Sequence, residues 1–137
     1  MEDWRNWNQK LIAEFRANHG EIGGHFEHMK LLLLASTGAK TGEQRVTPVA
    51  YTMDGDRYVI VASYGGSDVN PAWYHNLVAH PQATIEVGDQ KFPVSAALTT
   101  GAESDRLFAQ HAKAYPQFNG YKLKTTRHLP VFALERD

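Results

Sequence analysis

The stretch that decides the fold is 44-QRVTPVAYTMDGDRYVIVAS-63. Both of its halves are rich in β-branched and aromatic residues, which favour strands. Between the halves, Asp54-Gly55-Asp56 is typical of a tight hairpin turn. The sequence therefore predicts two antiparallel strands, over residues 44–53 and 57–64.

The segments on either side of this hairpin add four strands. A short apolar run that ends at Thr37-Gly38 predicts a buried strand, and Gly88-Asp89 predicts the turn of a second hairpin. The four strands predicted outside the central hairpin are 31–36, 83–88, 91–98 and 129–134.

Three helices are predicted around these strands: 3–19, 71–80 and 101–114. Apolar residues within Trp4–Phe15 recur on one face of the first helix. Asn70-Pro71 predicts the start of the second helix, with Asn as the N-cap and Pro at the first helical position. Thr100–Glu103 has the pattern of a capping box for the third. The connection 115–128 is predicted without a helix.

These elements define a fold class. Six strands joined mostly by hairpins, with three helices, favour an antiparallel barrel or sheet with peripheral helices, which is a mainly β form of the α+β class. A chain of 137 residues that is 42% apolar makes one domain, spanning 1–137. It divides into a helical N-terminus, 1–19, and a β body, 30–137.

Composition excludes several function classes. Fourteen Lys and Arg against fifteen Asp and Glu leave a net charge of −1, which argues against a nucleic-acid binder. The chain has no cysteine, so disulfides, thiolate-bound zinc, iron–sulfur clusters and thiol catalysis are excluded. His25 with His28, and His75 with His80, lack the spacing of a metal site, so no metal is expected. Acidic Glu2 and Asp3 do not suit a secretory leader, so we expect a soluble cytoplasmic protein.

The first candidate site is the loop 37–42 with Arg45 beyond it. Two glycines permit tight turning, so that several backbone N–H groups can converge on an anion, while Lys40 and Arg45 supply positive charge. On these residues alone, an ordinary hairpin loop is the more common interpretation.

The second candidate site combines residues 62–66 with residues 70–76. A strand end, a glycine pair and a helix start offer backbone donors, and Trp73 and Tyr74 could flank a planar ligand. The alternative interpretation is that Trp73, Leu77 and Val78 form only the buried face of a short helix.

The third candidate is the segment 113–128, which carries a local charge of +4 and three aromatic residues at spacing three. Such a segment could be a flap over an acidic or aromatic ligand. It could equally be a solvated loop whose aromatic residues pack on the barrel.

Read together, three segments resemble one family. The runs 31-LLLLASTGAKTGEQRVTP-48, 54-DGDRYVIVAS-63 and 70-NPAWYHNL-77, with Gly65-Gly66, are similar to the deazaflavin-dependent nitroreductases and quinone reductases. The resemblance implies a split β-barrel that binds coenzyme F(420), an 8-hydroxy-5-deazaflavin with a phosphodiester and a polyglutamate tail. It places the phosphate and tail at Lys40, Thr41, Gly42 and Arg45. It places the deazaflavin at Val46, Thr47, Pro48, Ala62, Ser63, Tyr64, Gly65, Gly66, Pro71, Trp73 and Asn76.

The resemblance also implies hydride transfer from reduced F(420) to a quinone or a similar conjugated or nitroaromatic acceptor. Ser63, Tyr115 and Tyr121 are the candidates for orienting or protonating that acceptor. Two other functions stay open: a split-barrel oxidoreductase that uses flavin mononucleotide, and a deazaflavin carrier without turnover. Helix 3–19 could make weak contact with the inner face of the membrane. The chain could be a monomer or a homodimer.

Three positions depart from some relatives. Tyr64 stands where some carry lysine, Phe118 where some have a flap tyrosine, and Ala50 where a tyrosine is found. These changes imply a wider and less polar acceptor pocket, so that quinones are favoured over bicyclic nitroimidazoles.

Overall fold

The computed structural model describes residues 4–20 and 29–137, which form one curled antiparallel sheet with helices around it. The strands are β1 Leu31–Thr37, β2 Gln44–Ala50, β3 Thr52–Asp54, β4 Arg57–Val61, β5 Gln82–Val87, β6 Gln90–Leu98 and β7 Val131–Arg136. The helices are α1 Trp4–Ala17, α2 Ala72–Ala79, α3 Gly101–Ala114 and α4 Gln117–Lys124, with a short 3-10 turn at Tyr64–Gly66.

The strand order explains why the sheet closes into a barrel. It runs β2-β1-β5-β6-β7-β4-β3, and every neighbouring pair is antiparallel. Strands β2 and β3 lie at opposite edges, yet Tyr51 alone separates them along the chain. The two edges must therefore meet, which confirms the predicted antiparallel barrel with peripheral helices.

One predicted strand is divided in two. Residues 44–53 were expected to be continuous, but β2 pairs with β1 whereas β3 pairs with β4. The chain turns at Tyr51, whose N–H donates to the Lys30 carbonyl at 3.0 Å. The described residues thus form seven strands instead of six, because the two halves of this segment serve opposite edges.

Two apolar layers bury both faces of the strands. Leu31 and Leu33 of β1 pack outward against the helices, whereas Leu32 and Leu34 pack inside the barrel. All four are buried, which explains why this run lacks the alternation of a half-exposed strand. Burial of each such side chain contributes about 1.5–3 kcal/mol.

Helix α1 covers one side of the barrel and agrees with the predicted helix. Leu11 and Phe15 are buried in the outer layer. Arg16 donates to both carboxylate oxygens of Glu86, at 3.1 and 2.7 Å, which fastens the helix to β5. The apolar side chains of this part of the helix therefore contact protein. None of the described helices is long and apolar enough to cross a membrane.

The predicted N-cap of α2 is wrong, whereas that of α3 has the predicted position without the predicted capping bonds. Helix α2 begins after Pro71, and the Asn70 side chain instead accepts a hydrogen bond from Arg127 at 2.6 Å. Thr100 precedes α3 but makes no side-chain capping bond, and Glu103 pairs with Arg57 at 3.1 Å. In both places, a side chain that the local pattern assigned to the cap instead bonds an arginine that is distant in the sequence.

The connection 115–128 contains α4, contrary to the prediction. Phe118 is its buried residue, and its ring packs edge-on against His111 of α3, with centroids 4.5 Å apart. With a single buried position in eight residues, the helix has no apolar stripe in the sequence. Its stability comes from docking.

Candidate functional site

The loop between β1 and β2 is folded back tightly on itself. The N–H of Gly38 donates to the Glu43 carbonyl at 2.7 Å, and the N–H of Gly42 donates to the Gly38 carbonyl at 2.9 Å. Thr41 Oγ1 accepts from the Glu43 N–H at 3.2 Å. Gly42 has a φ of +74°, a conformation that favours glycine.

Asn76 joins this loop to α2. Its Oδ1 accepts from the Ala39 N–H at 2.9 Å, and its Nδ2 donates to Ser36 Oγ at 3.2 Å. The Asn76 side chain is buried, so both bonds are shielded from water. The structure therefore brings together the first candidate loop and the helix of the second.

The two cations of the loop stay accessible. Lys40 is exposed, and the Arg45 side chain is 58% exposed, with Nη2 3.5 Å from the Glu43 carboxylate. An exposed pair of this kind contributes little to stability. An incoming anion could therefore take the place of Glu43.

Strand β2 continues from this loop toward the barrel. Val46, Thr47 and Pro48 are half-buried. Thr47 pairs with Leu34, whose side chain lies in the inner layer, so Thr47 shares the interior face. Val46 packs against the outer layer, on the other side of the sheet.

The second glycine segment forms a sharp turn after β4. Ala62 is fully buried, and Ser63 is buried, with a hydroxyl that makes no hydrogen bond to the described residues. Tyr64 adopts a φ of +48°, a left-handed conformation that is uncommon for a residue with a side chain. Its side chain is 55% exposed, so the turn presents Tyr64 to solvent.

Helix α4 lies directly on this turn. Gly66 has a φ of +84°, and a Cβ atom there would be 2.8 Å from the Tyr121 carbonyl oxygen and 3.0 Å from Lys124 Cβ. The backbone approach thus requires glycine. In the third candidate segment, 117–124 is a docked helix that contacts the second candidate turn.

Trp73 lies in the inner layer of the barrel. It is 8% exposed, and its ring centroid is 5.9 Å from that of Phe132. Leu77 is also buried, but Val78 is 55% exposed. The interpretation of α2 as a buried face is therefore correct for two of its three residues. Pro71 is buried at the start of the helix.

The two candidate tyrosines have different environments. The Tyr115 hydroxyl donates to the Tyr51 carbonyl at 2.8 Å and accepts from the Lys30 N–H at 3.1 Å, and burial raises its pKa. Tyr115 thus bonds two backbone groups at the end of the β1–β2 pair, beside the turn at Tyr51 where the two edges of the sheet meet (the barrel seam). Tyr121 is half-buried, and its ring packs edge-on against Phe118 at 5.1 Å. No described residue bonds its hydroxyl.

Two of the three residues that depart from some relatives are buried, whereas Tyr64 is exposed. Phe118 and Ala50 are both buried in the outer layer. A wider acceptor pocket at these two positions stays a prediction. A separate cavity of about 550 Å³ opens at the β3–β4 hairpin, between Met53 and Arg136, and none of the predicted site residues lines it.

His111 is a buried histidine that the sequence did not single out. Its Nδ1 lies 3.0 Å from Thr52 Oγ1, whereas Nε2 has no partner among the described residues. Burial lowers the pKa of His111 to about 4, so the ring is neutral near pH 7. The described residues contain no group of three metal-ligating side chains. His25 and His28 lie outside the described residues.

We expect His111 to make the fold sensitive to acid. Its unfolded pKa is near 6.5 and its folded pKa is lower, so the unfolded chain takes up the proton first as the pH falls. The contribution to stability is complete above pH 6.5 and is lost toward pH 4. Urea unfolding should show a loss of about 2 kcal/mol between pH 7 and pH 5. His111→Leu should flatten that dependence, and an equally steep dependence in this variant would contradict the assignment.

Comparison with known proteins identifies the family. A family model described as F(420)H(2)-dependent quinone reductase matches residues 7–136. A Mycobacterium tuberculosis protein named an F(420)H(2)-dependent quinone reductase is 39% identical over 128 residues, which cover 90% of this chain and 86% of that protein. The chain belongs to the F(420)H(2)-dependent quinone reductase family.

Solved structures agree with this assignment. An F(420)-H2 dependent reductase is 35% identical and superposes with a TM-score of 0.71, covering 77% of this chain and 93% of that one. A structure described as a domain-swapped dimer is 28% identical, with a TM-score of 0.74, and covers 97% of this chain and all of that one.

The described residues fit the cofactor that this family name implies. F(420) combines a flat ring with an anionic tail, and so it needs an apolar, donor-rich surface beside accessible cations. Asn76 fastens the loop of Lys40 and Arg45 beside the helix that carries Trp73. The turn at Ser63 offers backbone donors, since no described residue bonds the N–H groups of Ser63 and Tyr64.

Proposed function

We propose that this protein transfers a hydride from reduced F(420) to a quinone. The observation that carries the proposal is the Asn76 bridge, which holds a cationic loop against the helix of the second candidate site. A ligand with a polyanionic tail and a flat ring requires both parts side by side. In the proposed site the residues for the tail are Lys40, Thr41, Gly42 and Arg45, and those for the ring are Val46, Thr47, Pro48, Ala62, Ser63, Tyr64, Gly65, Gly66, Pro71, Trp73 and Asn76.

The protein's own part in the reaction is to bind, orient and shield. When bound, the reduced deazaflavin supplies the hydride. Exposed Lys40 and Arg45 bind the anionic tail, and the Asn76 bridge fixes the distance from the tail site to the ring site. A quinone that accepts a hydride becomes a quinol only after it also takes up a proton. One group near the acceptor must donate or orient that proton.

Among the three candidates we propose Tyr121 for this role. The Tyr115 hydroxyl already bonds two backbone groups at the barrel seam, so a structural role explains it. Tyr121 lies on α4 against the 64–66 turn, and its hydroxyl bonds no described residue. Ser63, buried at the end of β4, is the second candidate and can orient the acceptor.

Tyr121→Phe should therefore slow turnover without weakening cofactor binding. We expect kcat with menadione to fall by roughly 10–100-fold, because a positioned proton donor contributes at least this much, while the Kd for F(420) stays within twofold. Tyr115→Phe is the control. It should cost about 1–3 kcal/mol of stability through the unpaired seam groups and leave kcat unchanged well below its Tm. Unchanged kcat in Tyr121→Phe would assign the proton to Ser63 or to water.

The function is tested by titration with competing cofactors. The protein should bind F(420) more tightly than flavin mononucleotide, because the latter lacks the polyglutamate tail that Lys40 and Arg45 would hold. Tighter binding of flavin mononucleotide would favour the alternative of a flavin enzyme. Tight F(420) binding without oxidation of the reduced cofactor by menadione would favour the carrier.

The class of acceptor and the location of the protein in the cell form a finer part of the proposal. Quinones are the acceptor class we propose, with nitroaromatic compounds as weaker substrates. The apolar residues of α1 from Leu11 onward are packed against the barrel, and within helix 3–19 Trp4 and Trp7 are of the residue type that favours a membrane interface. Flotation with anionic vesicles, comparing the parent with Trp4→Ala/Trp7→Ala, tests weak attachment of a cytoplasmic protein. The relative described as a domain-swapped dimer makes a homodimer the state to test by light scattering.

A further inference from the structure

Arg127 holds an unusual set of partners. Its guanidinium donates to the carbonyls of Ala62 at 3.2 Å, Ser63 at 2.8 Å and Ser67 at 2.8 Å, and to Asn70 Oδ1 at 2.6 Å. A fifth bond of 3.4 Å reaches the neighbouring His128 carbonyl. All five acceptors are neutral oxygens, and four of them belong to the segment 62–70. The Arg127 side chain thus fixes the backbone conformation of residues 62–70.

Among the backbone N–H groups of this segment, those of Ala62, Gly66 and Ser67 are already bonded. The Ala62 carbonyl bonds Arg127, and the Ser63 carbonyl accepts from both Arg127 and the Gly66 N–H, the latter at 2.9 Å. The N–H groups of Ser63 and Tyr64 have no partner in the described part of the chain. Ser63 is right-handed, with φ −79° and ψ −36°, and Tyr64 is left-handed at φ +48°. A right-handed residue followed by a left-handed one forms a nest, in which successive N–H groups converge on an anionic or electron-rich atom.

Arg127 also connects this nest to α4. It lies three residues beyond the end of the helix, in a stretch that a second bond fastens to the same segment, from Thr125 Oγ1 to Asp68 at 3.0 Å. At the other end of the contact, the helix backbone touches Gly66. The position of α4, and with it Tyr121, therefore depends on the segment that Arg127 holds.

The charge of Arg127 is not cancelled by direct contact. No described carboxylate lies within ion-pair distance of it, and Asp68, the nearby acid, is engaged by Thr125. Partial burial lowers the pKa of Arg127, against an opposing effect of Asp68. The guanidinium stays charged at neutral pH. It polarises the two carbonyls and makes the attached peptide groups better donors on their far side.

We propose that Arg127 is a positioning residue that shapes the Ser63–Tyr64 nest to receive the electron-rich edge of the cofactor ring. The inference rests on the proposed function, since it takes residues 62–66 to be the ring site. It assigns to Arg127 an effect on cofactor affinity and on turnover, exerted through backbone donors, and no contact with the reacting atoms.

The test compares Arg127→Met, Arg127→Lys and Asn70→Ala with the parent protein, at a temperature well below every Tm. We expect Arg127→Met to raise the Kd for F(420) at least tenfold and to lower kcat with menadione. Arg127→Lys keeps the charge but loses the planar fork, so it should restore the affinity in part. Asn70→Ala removes one acceptor and should have an intermediate effect. In the cofactor-free protein, amide exchange in 62–70 should accelerate in Arg127→Met and not in a remote segment such as 82–87.

Arg106→Met is the matched control, because it removes an arginine whose bonds all go to the Asp54 carboxylate at the β3–β4 turn. It should leave the Kd and the exchange of 62–70 unchanged. A purely structural role for Arg127 predicts a lower Tm with an unchanged Kd and kcat, and that result would overturn the proposal. If the parent protein itself fails to bind F(420), the proposed function fails instead. If the parent protein binds F(420) and Arg127→Met has the same Kd and kcat as the parent, only the role of Arg127 is refuted.

Discussion

Arg45→Ala should weaken the binding of F(420) by about 1.5–3 kcal/mol, which is roughly a 10- to 150-fold rise in Kd. The Arg45 side chain is 58% exposed at the mouth of the 38–43 loop, and its partner, the Glu43 carboxylate, lies 3.5 Å away. A phosphodiester or tail carboxylate can take the place of Glu43 and form a bidentate bond. Fluorescence titration at low and high salt measures the effect. The variant should show the weaker salt dependence, because one cationic contact is gone.

Two further variants control this result. Arg106 is 55% exposed and is also paired with a carboxylate, so Arg106→Ala removes the same charge in a similar setting and should leave the Kd unchanged. Glu43→Gln removes the competing carboxylate and should tighten binding. If Arg45→Ala binds as the parent does, the tail does not bind at this loop.

Gly66→Ala should displace α4 and weaken both cofactor binding and turnover. The new methyl group would lie 2.8 Å from the Tyr121 carbonyl oxygen, which is backbone and cannot rotate away. The left-handed φ of +84° adds about 1 kcal/mol of conformational cost. We expect stability to fall by roughly 2–4 kcal/mol in total. The Kd for F(420) should rise at least tenfold, because the turn and α4 can no longer pack together.

Gly55→Ala separates the steric clash with α4 from the conformational cost of a left-handed φ. Gly55 has a φ of +62° and no atom within 4 Å of the position that a Cβ would take, so its substitution carries the conformational cost alone. Chemical denaturation should show a loss near 1 kcal/mol with an unchanged Kd. Equal losses in the two variants would mean that the contact of α4 with the turn contributes nothing.

The barrel was predictable because its signals are local. Hairpins at Gly55 and Gly88, and the run from Leu31, give strands whose pairing follows from short turns. The split at Tyr51 was not predictable, since it depends on which edge each half joins. Helix α4 was missed because Phe118 is its single buried residue, so that the contact with His111 replaces the periodic pattern.

The candidate site was predictable in its parts but not in its connections. Glycines and cations mark the loop near Lys40 and the turn near Gly66, and family resemblance adds Asn76. The bonds that hold these parts together span 37 residues from Asn76 to Ala39 and 64 residues from Arg127 to Ser63. Contacts between residues so far apart in the sequence become visible only in the folded structure. In the sequence Arg127 is one more cation of the basic segment 113–128, because no neighbouring residue indicates the four distant oxygens that it bonds.

Turnover with a defined cofactor tests the central claim most directly. Reduced F(420) is mixed with the protein and menadione, and the absorbance of the oxidised cofactor is followed together with the quinol formed. We predict that reduced F(420) is oxidised many times per protein molecule, with one quinol for each cofactor, and that reduced flavin mononucleotide is oxidised no faster than without protein. Oxidation of the reduced flavin alone, or F(420) binding without any quinol, would contradict the assignment of a deazaflavin-dependent quinone reductase.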